Sequence, residues 1–189
     1  NTWTHVRAVA GPSASAFAAI QTEPDAARYR FVGLEMTHIP VPNPPPASWS
    51  QYPYKAGNFG ALMAVNKTND SIIIDRCDIH GLDYPARLGA GIYLNGSNVA
   101  LVNSRLHKVN RWTEADKRSG SESTGIGIGE GPGPGRIENN LIEAIGVSLF
   151  FSGSTYHQAP PSDYVIRRNH FSHSDVYLYG SPSNVSRKN

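Results

Sequence analysis

The amino-acid sequence predicts an all-β solenoid, in which one chain winds into about five to six stacked coils of short strands. The first reason is a six-residue pattern that returns five times. It has an apolar residue at its first and sixth places and usually a small or amide residue at its fourth. The second reason is a further apolar stretch between consecutive copies, so that each repeat holds at least two strands. The copies span residues 31–36, 74–79, 101–106, 137–142 and 166–171.

The remaining elements follow from strand and turn signals in chain order. Residues 1–13 are expected to form an irregular cap. Residues 14–22 are expected to form the first strand, because Phe17 and Ile20 precede a Pro-Asp-Ala turn. The second strands of the later repeats are expected at residues 62–65, 92–94, 126–128, 149–151 and 176–179.

Four insertions interrupt the strands, at residues 39–60, 110–124, 129–135 and 152–162. The first is rich in proline, which has no N–H to donate to a sheet, so it is expected to be a loop. Long loops are uncommon unless they carry function, and in stacked coils they tend to gather along one flank. We therefore expect these loops to wall a groove.

Several segments resemble a known family, for example Ile73-Ile-Asp-Arg-Cys-Asp-Ile-His-Gly81 and Val165-Ile-Arg-Arg-Asn-His-Phe171. They are similar to repeats of the right-handed parallel β-helix of pectate-lyase-like proteins, including secreted bacterial members of largely undefined function. The resemblance covers roughly residues 15 to 180. It implies a right-handed, single-stranded parallel β-helix, a polysaccharide or glycan partner, and a secreted or periplasmic location.

Length and composition restrict the remaining possibilities. The 189 residues, 39% of them apolar, suit one domain, 1–189, whose core grows by stacking. A net charge of +2 without a run of five like charges argues against a nucleic-acid or membrane partner. The single cysteine, Cys77, excludes an internal disulfide and is expected to be buried and inert. No membrane span or signal peptide is recognisable, as in a mature secreted chain.

The last residues, 184–189, look like the opening of another coil that lacks its closing apolar residue. An uncovered terminal coil would expose unpaired strand groups. We therefore expect either a missing C-terminal segment, with the chain truncated within a coil, or a partner chain that stacks on this end.

Superimposing the copies turns the sequence into columns of side chains that are neighbours in space. The first-place and sixth-place columns are expected to form the core, whose burial contributes about 25 cal/mol per Å² of apolar surface. Outward-facing ion pairs are expected between Asp78 and Arg105 and between Glu138 and Arg167, each contributing about 0.2–1 kcal/mol. The fourth-place column is expected to form a hydrogen-bonded ladder at a bend. Its members are Leu34, Cys77, Ser104, Asn140 and Asn169.

The candidate catalytic residues follow the sixth place of the repeat. His80, His107 and Glu143 are expected on three successive coils, with Lys108 beside them and Glu130 in a neighbouring loop. Cleavage of a polysaccharide by β-elimination needs a base and a cation, whereas hydrolysis needs two carboxylic acids. Polar bends without catalytic function are the alternative interpretation. A zinc ion held by the two histidines and the glutamate would be chemically sensible, but no tight ligand spacing indicates one.

Outward-facing aromatic residues of the second strands are candidates for stacking on sugar rings. Tyr93 and Phe150 are expected on either side of Gly127, which would leave room for one ring. The alternative is that the tryptophan-bearing loops simply cover these rings. The candidate substrate-binding residues are Tyr93, Phe150, Trp112, Trp49 and Arg105.

The motifs of several enzyme classes are missing from the sequence. It lacks the clustered aspartates of calcium-dependent pectate-lyase-like enzymes and the Asn-Thr-Asp and Asp-Asp motifs of polygalacturonase-like hydrolases. It also lacks Gly-x-Ser-x-Gly, His-Glu-x-x-His and a phosphate-binding loop. No cofactor and no metal site are therefore predicted, and calcium has no supporting motif.

Two functions remain open. The first is a carbohydrate-active β-helix, a polysaccharide lyase or glycoside hydrolase with its groove along the face of Tyr93 and Phe150. The second is a non-catalytic glycan-binding or structural β-helix module, as in adhesins and fibres. The two differ in whether titratable residues converge in a concave site.

Overall fold

The computed structural model of the protein describes residues 18–37, 59–82, 88–109, 123–144, 146–152 and 160–173. Within these ranges the strands form three parallel sheets of five strands each, and the chain visits the sheets in turn. The protein is therefore a parallel β-helix of about five coils, which confirms the predicted fold class. The described ranges contain no apolar helix of membrane-spanning length.

Each coil contributes one strand to each sheet. Sheet 1 contains β1 (Ala18–Gln21), β4 (Phe59–Val65), β7 (Leu88–Leu94), β10 (Thr124–Ile128) and β13 (Val147–Phe151). Sheet 2 contains β2 (Arg30–Val32), β5 (Ile73–Asp75), β8 (Val99–Val102), β11 (Gly135–Glu138) and β14 (Tyr164–Arg167). Sheet 3 contains β3 (Glu35–Met36), β6 (Asp78–His80), β9 (Arg105–Val109), β12 (Leu141–Ala144) and β15 (His170–Ser172).

The register of the strands confirms the predicted superposition. The first-place residues are successive partners in sheet 2: Phe31, Ile74, Leu101, Ile137 and Ile166. The sixth-place residues are successive partners in sheet 3: Met36, Ile79, Leu106, Ile142 and Phe171. Each six-residue copy thus bends at its middle and belongs to two sheets. Residues far apart in the chain are neighbours because the coils stack about 4.8 Å apart.

Burial in the two apolar columns depends on the coil. Ile74, Leu101 and Ile137 are fully buried, as expected for core residues. Ile166 and Phe171 remain 41% and 44% exposed, so the prediction that they are core residues is wrong with respect to burial. They lie on β14 and β15, which have a neighbouring strand on one side only among the described residues.

The fourth-place column forms the predicted ladder. The N–H groups of Cys77, Ser104 and Asn140 donate to the Ser104 Oγ, Asn140 Oδ1 and Asn169 Oδ1 atoms of the next coil, at 3.1, 2.8 and 3.0 Å. Asn140 Nδ2 also donates to the Leu101 carbonyl oxygen at 2.9 Å. These bonds satisfy buried backbone groups where each coil turns from sheet 2 to sheet 3. Cys77 is buried and free, as predicted.

The third place of the repeat has a left-handed backbone in every coil. The φ angles of Gly33, Arg76, Asn103, Asn139 and Arg168 lie between 53° and 66°. Glycine and asparagine adopt this conformation most readily, whereas the same conformation costs arginine of the order of 1 kcal/mol. The N–H groups of the first four residues still donate to carbonyl oxygens of the next coil, so the corner between sheets 2 and 3 remains hydrogen-bonded.

Most of the predicted second strands are present, as β4, β7, β10 and β13. The predicted first strand begins at Ala18 within the described residues. Outside those residues lie the cap at 1–13, the strand at 176–179 and the chain end at 184–189. Trp49 and Trp112, with most of the two longest insertions, also lie outside them.

Candidate functional site

An open cavity of about 560 Å³ lined mostly by polar residues lies at the corner between sheets 2 and 3. We call it the corner groove. Its walls come from four successive coils, so it runs along the stacking direction over three coil steps of about 4.8 Å each. Its lining residues are Arg76, Cys77, Asp78, Asn103, Ser104, Arg105, Asn139, Asn140, Leu141, Arg168 and His170.

The charge of the corner groove is predominantly positive. Three arginines line it, Arg76, Arg105 and Arg168, and all three side chains are exposed. Asp78 is the one carboxylate among the described residues that line it. Guanidinium groups are permanently charged and present donors in a planar fork that fits carboxylates, sulfates and phosphates. The groove is therefore suited to an anionic ligand.

Behind the groove, the carboxylate of Asp75 is only 3% exposed. Oδ2 accepts from Arg30 at 2.7 Å and from Arg76 at 3.3 Å, and Oδ1 accepts from Asn103 Nδ2 at 3.0 Å. The bond from Asn103 is the main reason that the pKa of Asp75 lies below its ordinary value, and the two arginines add to it. Asn103 Oδ1 accepts in turn from Asn139 Nδ2 at 2.9 Å.

A second buried carboxylate, Glu138, contacts Arg168 at the other end of the groove, and its side chain is 7% exposed. It binds Arg136 of its own strand, Arg167 at 2.9 Å and Arg168 at 3.5 Å. The hydrogen bond from Arg167 is the largest cause of a lowered pKa of Glu138, and Arg136 adds to it. The predicted pair between Glu138 and Arg167 is confirmed, but the carboxylate lies beneath arginines instead of on the open surface.

Histidine–carboxylate pairs extend from the groove along the outer face of sheet 3. His80 and His107 are register partners, and their rings stack with centroids 5.0 Å apart, as expected for histidines one coil apart. Glu35 Oε1 lies 3.1 Å from His80 Nε2, and Asp78 Oδ1 lies 2.9 Å from His107 Nε2. Among the described residues, the Asp78 carboxylate thus bonds to His107, and the predicted ion pair between Asp78 and Arg105 is not present. Burial lowers the pKa of His107.

The expected row of His80, His107 and Glu143 is interrupted at its third member. Ile142 pairs with Leu106 but Ala144 pairs with Val109, so the register shifts between them. Two residues of β9, His107 and Lys108, therefore stand opposite Glu143, as in a β-bulge. Lys108 has a left-handed φ of 53°, which accommodates the extra residue.

Glu130 lies at a different corner of the coil from the histidines. It follows β10, where the chain turns from sheet 1 to sheet 2, and its carboxylate binds Lys67 Nζ at 3.1 Å. Its N–H group and that of Gly129 donate to Asn95 Oδ1. The candidate catalytic residues are therefore not assembled in one place.

The aromatic residues of sheet 1 are arranged differently from the prediction. Tyr93, Gly127 and Phe150 are successive register partners, as expected. The ring of Tyr93, however, lies over Gly127, where an added Cβ would be 2.9 Å from two ring carbons. The space predicted for a sugar ring is therefore filled by Tyr93. Phe150 is 51% exposed.

Of the predicted site residues that the structure describes, the corner groove contains Arg105 alone. Sequence reasoning missed Arg76, Asn103, Asn139 and Arg168, which occupy the third place of the repeat. The residue types at this place could have indicated a left-handed corner, because three of the five are glycine or asparagine, which adopt that conformation most readily.

The described residues include no cluster of three or more histidine, cysteine, aspartate or glutamate side chains placed to hold a metal ion. His80, His107 and Glu143 are therefore not grouped as the ligands of a metal ion. The buried carboxylates Asp75 and Glu138 bind arginines instead.

Comparison of the chain with models of known protein families, with curated proteins and with solved structures finds no match in any of the three. The function is therefore inferred from the geometry and charge of the corner groove.

Proposed function

We propose that the protein binds an acidic polysaccharide along the corner groove. The observation that carries this proposal is the row of exposed arginines, Arg76, Arg105 and Arg168, in an open groove that crosses four coils. Charge-assisted hydrogen bonds from guanidinium to carboxylate or sulfate are among the strongest polar contacts in proteins. Polymers of this kind occur mainly at and outside the cell surface, which fits the expected secreted or periplasmic location.

The shape and the remaining groups of the groove suit an extended chain. Three coil steps of about 4.8 Å give a length that matches a short segment of polymer better than a single small ion. Between the arginines, the amides of Asn103 and Asn139 offer partners for sugar hydroxyls. The polymer would therefore lie along the stacking direction, with its acid groups near the arginines.

The residue types in the groove argue against two other ligands. Neutral sugars are commonly held by aromatic rings, and single-stranded nucleic acids by base stacking on aromatic side chains. The described lining residues include no phenylalanine, tyrosine or tryptophan. An anionic polymer without bases is the ligand class that remains.

Replacing Arg76, Arg105 and Arg168 together by glutamine is expected to weaken binding by a factor of at least about 100, since each charge-assisted bond contributes roughly 1.5–3 kcal/mol. Binding is measured by calorimetry with polygalacturonate, which carries carboxylates, and with dextran sulfate. Neutral dextran and single-stranded DNA serve as comparison polymers. The matched control is Arg28→Gln, because Arg28 is also exposed and left-handed but lies before sheet 2, away from the groove.

Affinity of the triple variant equal to that of the unmodified protein would contradict the proposal, as would stronger binding of DNA than of both acidic glycans. Loss of binding in Arg28→Gln would mean that net charge decides the affinity and not the groove. Increasing the salt concentration should weaken binding of the unmodified protein, because the contacts are ionic.

A second candidate function, cleavage of the bound polymer by β-elimination, is favoured by the surroundings of Asp78. Its carboxylate lines the groove, bonds to His107 Nε2 at 2.9 Å and stands in register with Arg105. In the proposed step the carboxylate takes the C5 proton of a uronate whose acid group is neutralised by Arg105. The C5 electron pair forms a C4–C5 double bond, the C4–O bond breaks, and the leaving oxygen takes a proton from water. The hydroxide ion that remains takes the proton from Asp78, which restores both the water and the carboxylate. Hydrolysis would require a second carboxyl group in the groove.

If cleavage occurs, Asp78→Asn is expected to slow it by a factor of about 100 or more, because a general base typically contributes at least that much. The ultraviolet absorbance of the unsaturated product measures the rate with polygalacturonate and other polyuronates. The matched control is Glu35→Gln, since Glu35 pairs with His80 as Asp78 pairs with His107 but lies outside the groove lining. Binding without any rise in absorbance would leave the non-catalytic glycan-binding module.

A further inference from the structure

We propose that Asp75, which does not line the corner groove, is its positioning residue: it orients Arg76 and Asn103 directly and Asn139 through Asn103. This inference rests on the proposed function, because the three residues it orients are ligand contacts only if a polymer binds in the groove. Asp75 closes β5, immediately before the left-handed corner residue Arg76. The neighbouring coils supply its other partners.

The carboxylate of Asp75 fixes the orientation of two side-chain amides. An ionised carboxylate can only accept hydrogen bonds, so the Asn103 group that faces Asp75 Oδ1 must be the NH₂ group. Asn103 Oδ1 then points away from Asp75 and accepts from the NH₂ group of Asn139. The relay runs in one direction only, and it presents the amide of Asn139 to the groove in one orientation.

The same carboxylate also holds two guanidinium groups. Arg30 of the preceding coil and Arg76, the next residue in the chain, both donate to Asp75 Oδ2, while Oδ1 accepts from Asn103. The carboxylate is thereby surrounded by donors, and only 3% of the side chain is exposed to solvent. It fixes the arginine and the amide in space without presenting its own negative charge to an anionic ligand.

Positioning and net charge predict opposite changes in affinity when Asp75 is replaced. Replacing Asp75 by asparagine removes one negative charge beside the groove. If the groove attracts polyanions through net charge alone, the variant should bind more tightly. If Asp75 acts by positioning, the variant should bind less tightly, because an asparagine can donate as well as accept and no longer fixes the orientation of Asn103.

The experiment compares Asp75→Asn with Asp70→Asn, measuring affinity for polygalacturonate and dextran sulfate by calorimetry. Asp70 is a matched control, because it also accepts from an asparagine of the next coil, Asn98 Nδ2 at 2.6 Å, but lies outside the groove lining. We expect Asp75→Asn to bind roughly tenfold less tightly, the loss of one such contact. Asp70→Asn should be unchanged or slightly tighter. Asp75→Glu retains an acceptor and should recover part of the affinity.

A second measurement separates positioning from a general loss of structure. The side-chain NH₂ signals of Asn103 and Asn139 in the NMR spectrum should shift in Asp75→Asn, while backbone signals of sheet 1 stay in place. If Asp75→Asn does not fold, Asn103→Gly tests the relay with Asp75 intact, because glycine suits the left-handed corner. Removal of Asn139 should then cost less affinity in the Asn103→Gly background than in the unmodified protein.

Equal or tighter binding by folded Asp75→Asn would overturn the positioning role, as would additive effects of the Asn103 and Asn139 substitutions. Failure of the proposed function would look different, because the triple arginine variant would then bind as well as the unmodified protein. Loss of binding in the arginine variant together with normal binding in Asp75→Asn would leave an acidic-glycan groove that needs no buried carboxylate.

Discussion

Replacing Asn140 by alanine is expected to lower the free energy of unfolding by about 1–3 kcal/mol, the cost of one buried polar group left without a partner. The N–H of Ser104 would lose the Oδ1 acceptor. Ser104 is buried in the middle of the stack, where water cannot replace the amide. The carbonyl oxygen of Leu101 would also lose the Nδ2 donor, but it keeps the N–H of Glu138 in the parallel ladder of β8 and β11.

Urea denaturation followed by circular dichroism measures the effect. Asn140→Ser is the informative companion, because Ser104 fills the same column of the preceding coil with a hydroxyl that accepts from the N–H of Cys77. A serine at residue 140 should therefore keep part of the ladder and be less destabilising than alanine. A change below about 0.5 kcal/mol for Asn140→Ala would contradict the importance of the ladder, since ordinary surface substitutions fall in that range.

Replacing Leu106 by alanine is expected to destabilise the protein by about 3–5 kcal/mol, the cost of a cavity in a rigid core. Leu106 is fully buried, and coils on both sides contribute to its surroundings. Stacked strands are held by hydrogen bonds on both edges, so they cannot easily collapse into the space that the side chain leaves.

Phe171→Ala is the matched control in the same column. Phe171 occupies the sixth place of its repeat like Leu106, but it is 44% exposed. Although more atoms are removed, the expected cost is only about 1–2 kcal/mol, because much of the ring already meets water. A larger loss for Phe171→Ala than for Leu106→Ala, measured by the same urea titration, would contradict the partial exposure of Phe171.

The sequence was sufficient for the stacking register. Stacked coils place equivalent positions of the repeat on top of one another, so the same position must be apolar in each coil that surrounds the core. Ile74, Leu101 and Ile137 occupy such a position and are all fully buried. The ladder was also predictable, because asparagine and serine recur at a buried place where backbone groups need partners. Burial of Ile166 and Phe171 was not predictable from the repeat, since the pattern carries no information on how many neighbours a coil has.

The location of the candidate site was less predictable, because three physical features escape a column comparison. Left-handed corners turn the third place of the repeat towards the groove, although this place looks like an ordinary polar gap. The sequence predicts Asp75 and Glu138 as outward-facing charges, whereas arginines of neighbouring coils cover both carboxylates and remove them from solvent. The bulge at His107 and Lys108 shifts the register by one residue, so that Glu143 stands opposite two residues of β9 and not opposite His107 alone.

The left-handed corners have a consequence for engineering new specificity. Glycine and asparagine accept the backbone conformation there readily, and Arg76 and Arg168 also adopt it. Arg76 and Asn103 bond to the buried carboxylate of Asp75, and Arg168 binds the buried carboxylate of Glu138, so replacing these residues would remove partners of buried charges. Asn139 donates to Asn103 instead. Exchanging Asn139 for lysine, aspartate or an aromatic residue would therefore alter which polymer the groove recognises while both buried carboxylates keep their arginines.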